Sequence, residues 1–244
     1  MVSLTCFNRC FTFNWKMAIL TGLAFIFFVR LGFWQLHRAD EKKQMLSAQA
    51  TFANTAPVFW NPTMTMPAQY QRIALKGRFL AENILLDNQH YQHEFGYNVL
   101  TPLQLSSGKI VLVDRGWVSG DITRQKFPEP DITDEALSLT GSAYYPSEKS
   151  WILGPAFEKK QPHVTLIENI DTKLVSQLLH KPVYPFIIRL DKEMTQGYIR
   201  EWPVVTMPPE RHQAYALQWF AMACVVLILF IALNLKKMNE NGKA

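Results

Sequence analysis

The 244 residues hold only three cysteines, Cys6, Cys10 and Cys224. None falls between the two long apolar runs, so that middle region forms no disulfide and must be held by packing and hydrogen bonds. Charge is scarce too, at 18% against the usual quarter of a soluble protein. No glycine-rich phosphate loop, nucleophile elbow or His-Glu-x-x-His helix is present. Nucleotide hydrolysis, α/β-hydrolase chemistry and zincin proteolysis therefore lack their residues. No internal repeat is visible. The net charge of +5 is made of scattered basic residues, several flanking apolar runs. That pattern belongs to membrane-flanking charge, and nucleic acid is not expected as a partner.

What the chain has is apolar length. One run goes from Met17 to about Leu36, and another from Ala214 to about Leu235 carries no Asp, Glu, Lys, Arg or His. Twenty residues at 1.5 Å each cross a hydrocarbon layer of about 30 Å. The first run is an uncleaved anchor rather than a signal peptide, because Ala48-Gln-Ala50 lies too far beyond it to serve as a cleavage site. Arg9 and Lys16 precede the first run, and Lys236, Lys237 and Lys243 follow the second. Two short basic tails place both termini in the cytoplasm. The expected organisation is a cytoplasmic tail over 1–15, a span over 16–36, a periplasmic β-rich domain over 37–212, a span over 213–235 and a cytoplasmic tail over 236–244. Cysteine-free residues in an oxidising compartment fit that layout.

The middle region opens with a polar helical stretch to about Thr51 and a connector holding Pro57, Pro62 and Pro67. Residues 70–80 and 83–87 read as a strand pair, and 97–105 with 109–118 as a hairpin around Ser106-Ser-Gly108. Further strands are expected over 136–145, 164–168, 186–190 and 204–207, with a polar loop over 123–135. Asp171 stands at an N-cap before a helix over 172–180, which Pro182 ends. Seven or eight short strands with one or two short helices predict a mostly antiparallel β domain, a sandwich or open barrel.

Several residues carry possible chemistry. His90, His93 and Glu94 have metal-ligand types, but their spacing suits a solvated turn better. His163 and His180 read as surface residues, and His37 as an interfacial anchor. Cys6 and Cys10 lack companion ligands. In Asp114-Arg-Gly-Trp117, Gly116 suggests a close backbone crossing, and Asp114 or Arg115 is placed to bind a polar group. His212, Tyr215, Trp219 and Ala223 form one helical stripe where the second run begins. Such a histidine has two readings, polar anchoring in an aromatic belt or axial ligation of haem iron. Arg30, Trp34 and Arg38 make a second stripe near the outer end of the first run. Arg30, Arg38 and Arg211 are placed to neutralise propionates, and Gly32 to let the helices approach closely.

Six blocks in order then resemble a known family. Leu31-Gly-Phe-Trp-Gln-Leu-His-Arg38 is similar to the Leu-Gly-x-Trp-Gln-x-x-Arg signature of the Surfeit locus protein 1 family. Gly77-Arg-Phe79, Gly96-Tyr-Asn-Val-Leu-Thr-Pro-Leu103 and Val111-Leu-Val-Asp-Arg-Gly-Trp-Val118 resemble its internal blocks. Glu201-Trp-Pro-Val204 and His212-Gln-Ala-Tyr-Ala-Leu-Gln-Trp-Phe220 resemble the last two. The Asp-Arg-Gly-Trp block departs mildly from an Asn-Arg-Gly-Phe version in some relatives. The resemblance covers about 17–235 and implies a non-catalytic membrane assembly factor for haem-copper cytochrome c oxidase. It implies help in delivering haem a, with the oxidase catalytic subunit, haem a synthesis enzymes and the lipid bilayer as partners. The family's histidine falls on His212, its Trp-Gln and Arg on Trp34, Gln35 and Arg38, and Arg115, Gly116 and Trp117 keep the internal block. The rival expectation is an interaction scaffold in oxidase biogenesis that binds no cofactor. A tethered hydrolase would need a nucleophile–base pair, and none is visible.

Overall fold

The structure, a computed structural model, describes residues 3–6, 9–129, 135–147 and 157–237. In chain order the elements are β1 (Ser3–Cys6), β2 (Arg9–Thr12), α1 (Trp15–Ala53), β3 (Val58–Phe59), β4 (Arg72–Phe79) and β5 (Asn83–Tyr91). They continue with β6 (Glu94–Gln104), β7 (Ile110–Ser119), β8 (Ala136–Tyr144), β9 (Phe157–Gln161) and β10 (Val164–Ile167). The last are α2 (Thr172–Leu179), β11 (Val183–Leu190), α3 (Pro209–Asn234) and β12 (Leu235–Lys237). Lys243 and residues 130–134 of the expected polar loop lie outside the described residues, as do the side chains of Arg9, Cys6, Cys10, Lys236 and Lys237. The chain forms two compact units, one of Ala48–Pro203 and one of the residues before and after it.

The flanking unit is built on two long helices. Asn14 caps α1, its Oδ1 accepting from the backbone N–H of Lys16 at 3.1 Å and of Met17 at 3.4 Å. The helix then runs 39 residues without a break. The expected span and polar helical stretch are thus a single element, about 58 Å long. No proline interrupts it, and past the apolar run it carries the i, i+3 ion pairs Arg38–Glu41 and Asp40–Lys43, the latter at 3.8 Å, and an i, i+4 contact of His37 with Glu41 at 3.3 Å. α3 starts on Pro209, whose missing N–H suits the first helical turn, with Glu210 favourably placed at the positive end of the helix dipole. Both helices are long and apolar enough to cross a membrane. At their far ends β2 pairs with both β1 and β12, with Lys237 opposite Arg9 and Leu235 opposite Phe11.

In the other unit, among the described residues, nine strands form a sheet in the order β3-β4-β8-β11-β7-β6-β5-β10-β9. β4 also pairs with β6 through Arg78–Gln104 and Phe79–Leu103, which closes β4-β8-β11-β7-β6 into a five-stranded barrel. Alternation along the strands decides what fills it. Ile73 and Leu75, Val111 and Val113, and Phe186, Ile188 and Leu190 turn inward to one core, with Trp60 packed among them. β6 continues past the barrel to pair with β5, which carries β10 and then β9. β9 is charged, Phe-Glu-Lys-Lys-Gln, as suits an outermost strand. α2 packs on β11 and the strands beside it, with Val175 in one cluster with Ile84, Leu100, Leu112 and Ile187. Asp171 caps it, accepting from Lys173 N at 2.8 Å, and His180 closes it at φ 49°.

The fold is mostly antiparallel, with parallel contacts at β3–β4, β5–β10 and β7–β11. Two expectations are corrected. Residues 70–80 and 83–87 do hold strands, but among the described residues β4 and β5 do not pair; a short connection sends β5 to β6 instead. Residues 204–207 form no strand, because the chain there is bending toward α3 just before Pro208 and Pro209.

Candidate functional site

The helical unit brings together the residues that the two apolar runs present to each other. The buried residues of α3 are Pro209, His212, Ala216, Ala223 and Asn234. Three of these, at i, i+4 and i+11, make a face with a small residue beyond each turn, and Trp219 fills the remaining place half-buried. On α1 the buried residues are Gly32 and Ala39, with Gln35 half-buried between them. Trp219 stacks on Phe28 with ring centroids 5.9 Å apart and planes 20° apart. Phe220 meets Phe33 edge-on at 5.4 Å. Gly32 is opposite the same ring: a Cβ there would lie 2.5 Å from Phe220 Cε1. The room that glycine leaves is taken by the Phe220 ring of α3.

His212 is 8% exposed, and its Nδ1 lies 2.8 Å from Gln35 Oε1. An amide oxygen only accepts, so Nδ1 is the donor of this contact, and in a neutral ring Nε2 is then the nitrogen with the lone pair. Nε2 is sealed from solvent and has no hydrogen-bond partner among the described residues. A buried acceptor left this way costs about 1–3 kcal/mol. The arrangement matches the usual support of a metal-bound imidazole, in which one ring nitrogen is anchored by an oxygen and the other faces the metal. The donor chemistry is that of an axial ligand, while the sealed Nε2 offers no open face for a haem in this arrangement.

The other expected site residues are more dispersed. Tyr215 is 40% exposed and Trp34 is 53% exposed, so neither belongs to the packed face that holds His212. The i, i+3 stripe turns slightly away from that face, and the i, i+4 step to Ala216 follows it. Arg30 and Arg211 are exposed. Arg38 is half-buried and donates to Glu41. Among the described residues no group of three or more His, Cys, Asp or Glu side chains converges on one metal position. His93 is at the β5–β6 turn with φ 68°, His90 lies edge-on to Phe95 at 5.9 Å, and His163 sits 3.7 Å from Glu82. Cys224 is free and exposed.

The Asp-Arg-Gly-Trp segment lies in the barrel unit, and it is buried from Asp114 to Trp117. Arg115 Nε donates to Gln196 O at 2.6 Å, and its guanidinium lies over Phe79 and Tyr198 at 5.2 and 5.0 Å. These contacts are internal and leave it holding the chain that precedes the boundary. Gly116 has φ +113°, and a Cβ there would lie 2.5 Å from Ile199 O. Trp117 N donates to that same carbonyl at 2.7 Å, so residues 198–200 cross directly over the glycine. Burial raises the Asp114 carboxyl to about 6, against the lowering effects of Arg189, the Gly116 N–H and Asn98.

A β-barrel domain bracketed in sequence by two helices of membrane-spanning length, with a supported imidazole on the second, is the class of protein these features define. The chain belongs to the SURF1 family, whose model matches residues 22–224. It is similar to the SURF1-like protein of Rickettsia felis, 28% identical over 224 residues that make up 88% of this chain and 96% of that protein. The SURF1-like protein of Rickettsia conorii is 28% identical over 224 residues, 88% and 90% of the two chains. That of Drosophila melanogaster is 34% identical over 126 residues, 43% and 41%. The family is known generally for oxidase assembly factors, and the rickettsial relatives together with the two apolar helices indicate a bacterial membrane protein.

Proposed function

We propose that this chain is a non-catalytic assembly factor for haem-copper cytochrome c oxidase that assists the delivery of haem a to the catalytic subunit. The observation that carries the reading is the state of His212: one ring nitrogen held by Gln35, the other buried without a partner. Haem a supplies an iron that accepts an imidazole nitrogen axially. The chain's own residues do the rest. Gln35 fixes the tautomer and the ring plane. Phe28, Trp219, Phe33 and Phe220 offer flat apolar surfaces at the same helix pair. Arg30 and Arg211 are exposed cations available to propionates, whereas Arg38 joins them only by leaving Glu41.

In this reading the protein crosses the bacterial inner membrane twice, with the barrel unit in the periplasm and both tails in the cytoplasm. Two basic tails support it, as does the ladder from β2 to β12, which joins the two ends on one side of the helix pair. The partners are the oxidase catalytic subunit and the enzymes that make haem a.

The test is a reduced-minus-oxidised spectrum of the purified protein, produced together with haem a synthesis enzymes. Wild type should carry haem a, and His212→Ala should lose the pigment or shift its band. Unchanged occupancy and band position in His212→Ala would rule out the axial role. A second reading is a scaffold that binds no cofactor, which the complete solvent sealing of Nε2 favours. A scaffold should keep oxidase partners in a pull-down and carry no pigment, and His212→Asn should leave it unaffected.

A further inference from the structure

Far along the chain from the helix site, the barrel unit carries a guanidinium whose N–H groups find no acceptor among the described residues, although Asp114 lies close enough to feel its charge. Arg189 lies on β11 opposite Asp114 of β7. Its guanidinium lies 3.6 Å from the ring centroid of Tyr144 and 5.6 Å from that of Trp202. Nε is sealed from solvent and has no hydrogen-bond partner among the described residues. Among the described residues the side chain makes no hydrogen bond and no ion pair. A guanidinium has five N–H donors, and one that is mostly buried normally uses several.

Arg189 lines a pocket of about 220 Å³ together with Gln89, Asn98, Trp117, Glu201 and Trp202. The indole donors of that pocket are already taken, Trp117 Nε1 by Gln89 O at 3.2 Å and Trp202 Nε1 by Leu190 O at 3.1 Å. The rings therefore present fixed apolar surfaces, and Arg189 supplies the free donors. Asp114 does not use them: its oxygens accept from Gly116 N at 3.2 Å and Asn98 Nδ2 at 3.3 Å.

We propose that this pocket binds a singly charged carboxylate carried on a small, flat apolar group, with Arg189 as its anchor. The planar guanidinium fork matches a carboxylate. The volume is below that of pockets for drug-sized ligands, about 300–1,000 Å³. Glu201 on the lining and Asp114 behind Arg189 disfavour a second negative charge. The carboxylate has two sources, a free small acid or the C-terminus of a polypeptide.

The experiment is a ligand-observed NMR titration of the full-length protein in detergent micelles. The probes are 3-phenylpropionate, its neutral amide, phenyl phosphate, and the peptide acetyl-Ala-Ala-Phe as acid and as amide. Each acid should bind about tenfold more tightly than its amide, and Arg189→Gln should abolish that preference. Glu201→Gln changes only an exposed side chain and should tighten acid binding two- to threefold, roughly the effect of a rim charge. Whichever acid binds more tightly identifies the source, and either result supports the pocket. Equal binding of acid and amide overturns the proposal, as does an acid preference that survives Arg189→Gln, tighter binding of phenyl phosphate, or no response to Glu201→Gln.

Discussion

Gln35 and His212, 177 residues apart in the chain, meet at 2.8 Å, an amide oxygen on one long helix orienting an imidazole on the other. The pairing gives Nδ1 an acceptor, so in a neutral ring Nε2 is the nitrogen left to ligate.

Replacing Gln35 should therefore act through His212. Gln35→Leu leaves Nδ1–H without an acceptor in a buried place, at about 1–3 kcal/mol in stability. In protein produced with haem a it should also lower pigment occupancy about tenfold, the usual scale for losing such a support. Gln35→Glu keeps an acceptor and should hold more pigment than Gln35→Leu, at a stability cost for a carboxylate in a half-buried place between apolar helices. Denaturant unfolding and difference spectra read the two effects separately. A fully loaded Gln35→Leu protein would show that the tautomer is set in another way.

The two glycines of α1 make a contrasting pair. A Cβ on Gly22 meets nothing within 4 Å, whereas one on Gly32 falls 2.5 to 2.9 Å from three atoms of the Phe220 ring. Gly22→Ala should gain up to about 1 kcal/mol from helix propensity alone. Gly32→Leu must displace the ring from its edge contact with Phe33, and should lose about 1–3 kcal/mol as overpacked cores do. Adding Phe220→Ala to Gly32→Leu should recover part of that loss. Unfolding in mixed micelles measures all of these. Equal behaviour at positions 22 and 32 would contradict the ring-in-notch packing.

Much of this was legible because it depended on near neighbours in the chain. Twenty apolar residues announce a helix whatever the rest does, and Asp171 before Leu174, Val175, Leu178 and Leu179 announces a capped one. The hairpin of β6 and β7 was visible as two strand-like apolar runs on either side of Ser106-Ser-Gly108. Pairing between distant strands was not. The barrel closes on two residue pairs of β4 and β6, and nothing in the local pattern of Phe79 or Leu103 distinguishes them from other apolar strand residues. Among site residues, His212 stood out as the lone imidazole at a helix start, while the partner role of Gln35 needed the tertiary contact. Arg189 did leave a signal: one cation inside Phe-Ile-Ile-Arg-Leu, a run otherwise suited to a buried strand.

Asp114 should give the barrel unit a pH dependence of unusual sign. Its carboxyl is raised from 3.8 to about 6 in the fold, chiefly by burial. Between those values the native state holds a proton that the unfolded chain has released. Stability should therefore fall as pH rises from about 4 to about 6, by about 3 kcal/mol at most, and level off above that. Asp114→Asn should remove this slope, since a carboxamide does not titrate and its oxygen can still accept from Gly116 N. Removing the nearby cation with Arg189→Gln should instead push the carboxyl higher and carry the falling limb past pH 6. Urea unfolding at half-unit steps from pH 4.5 to 7.5 would follow all three proteins. The assignment fails if wild type is flat across that range, or if the slope survives in Asp114→Asn.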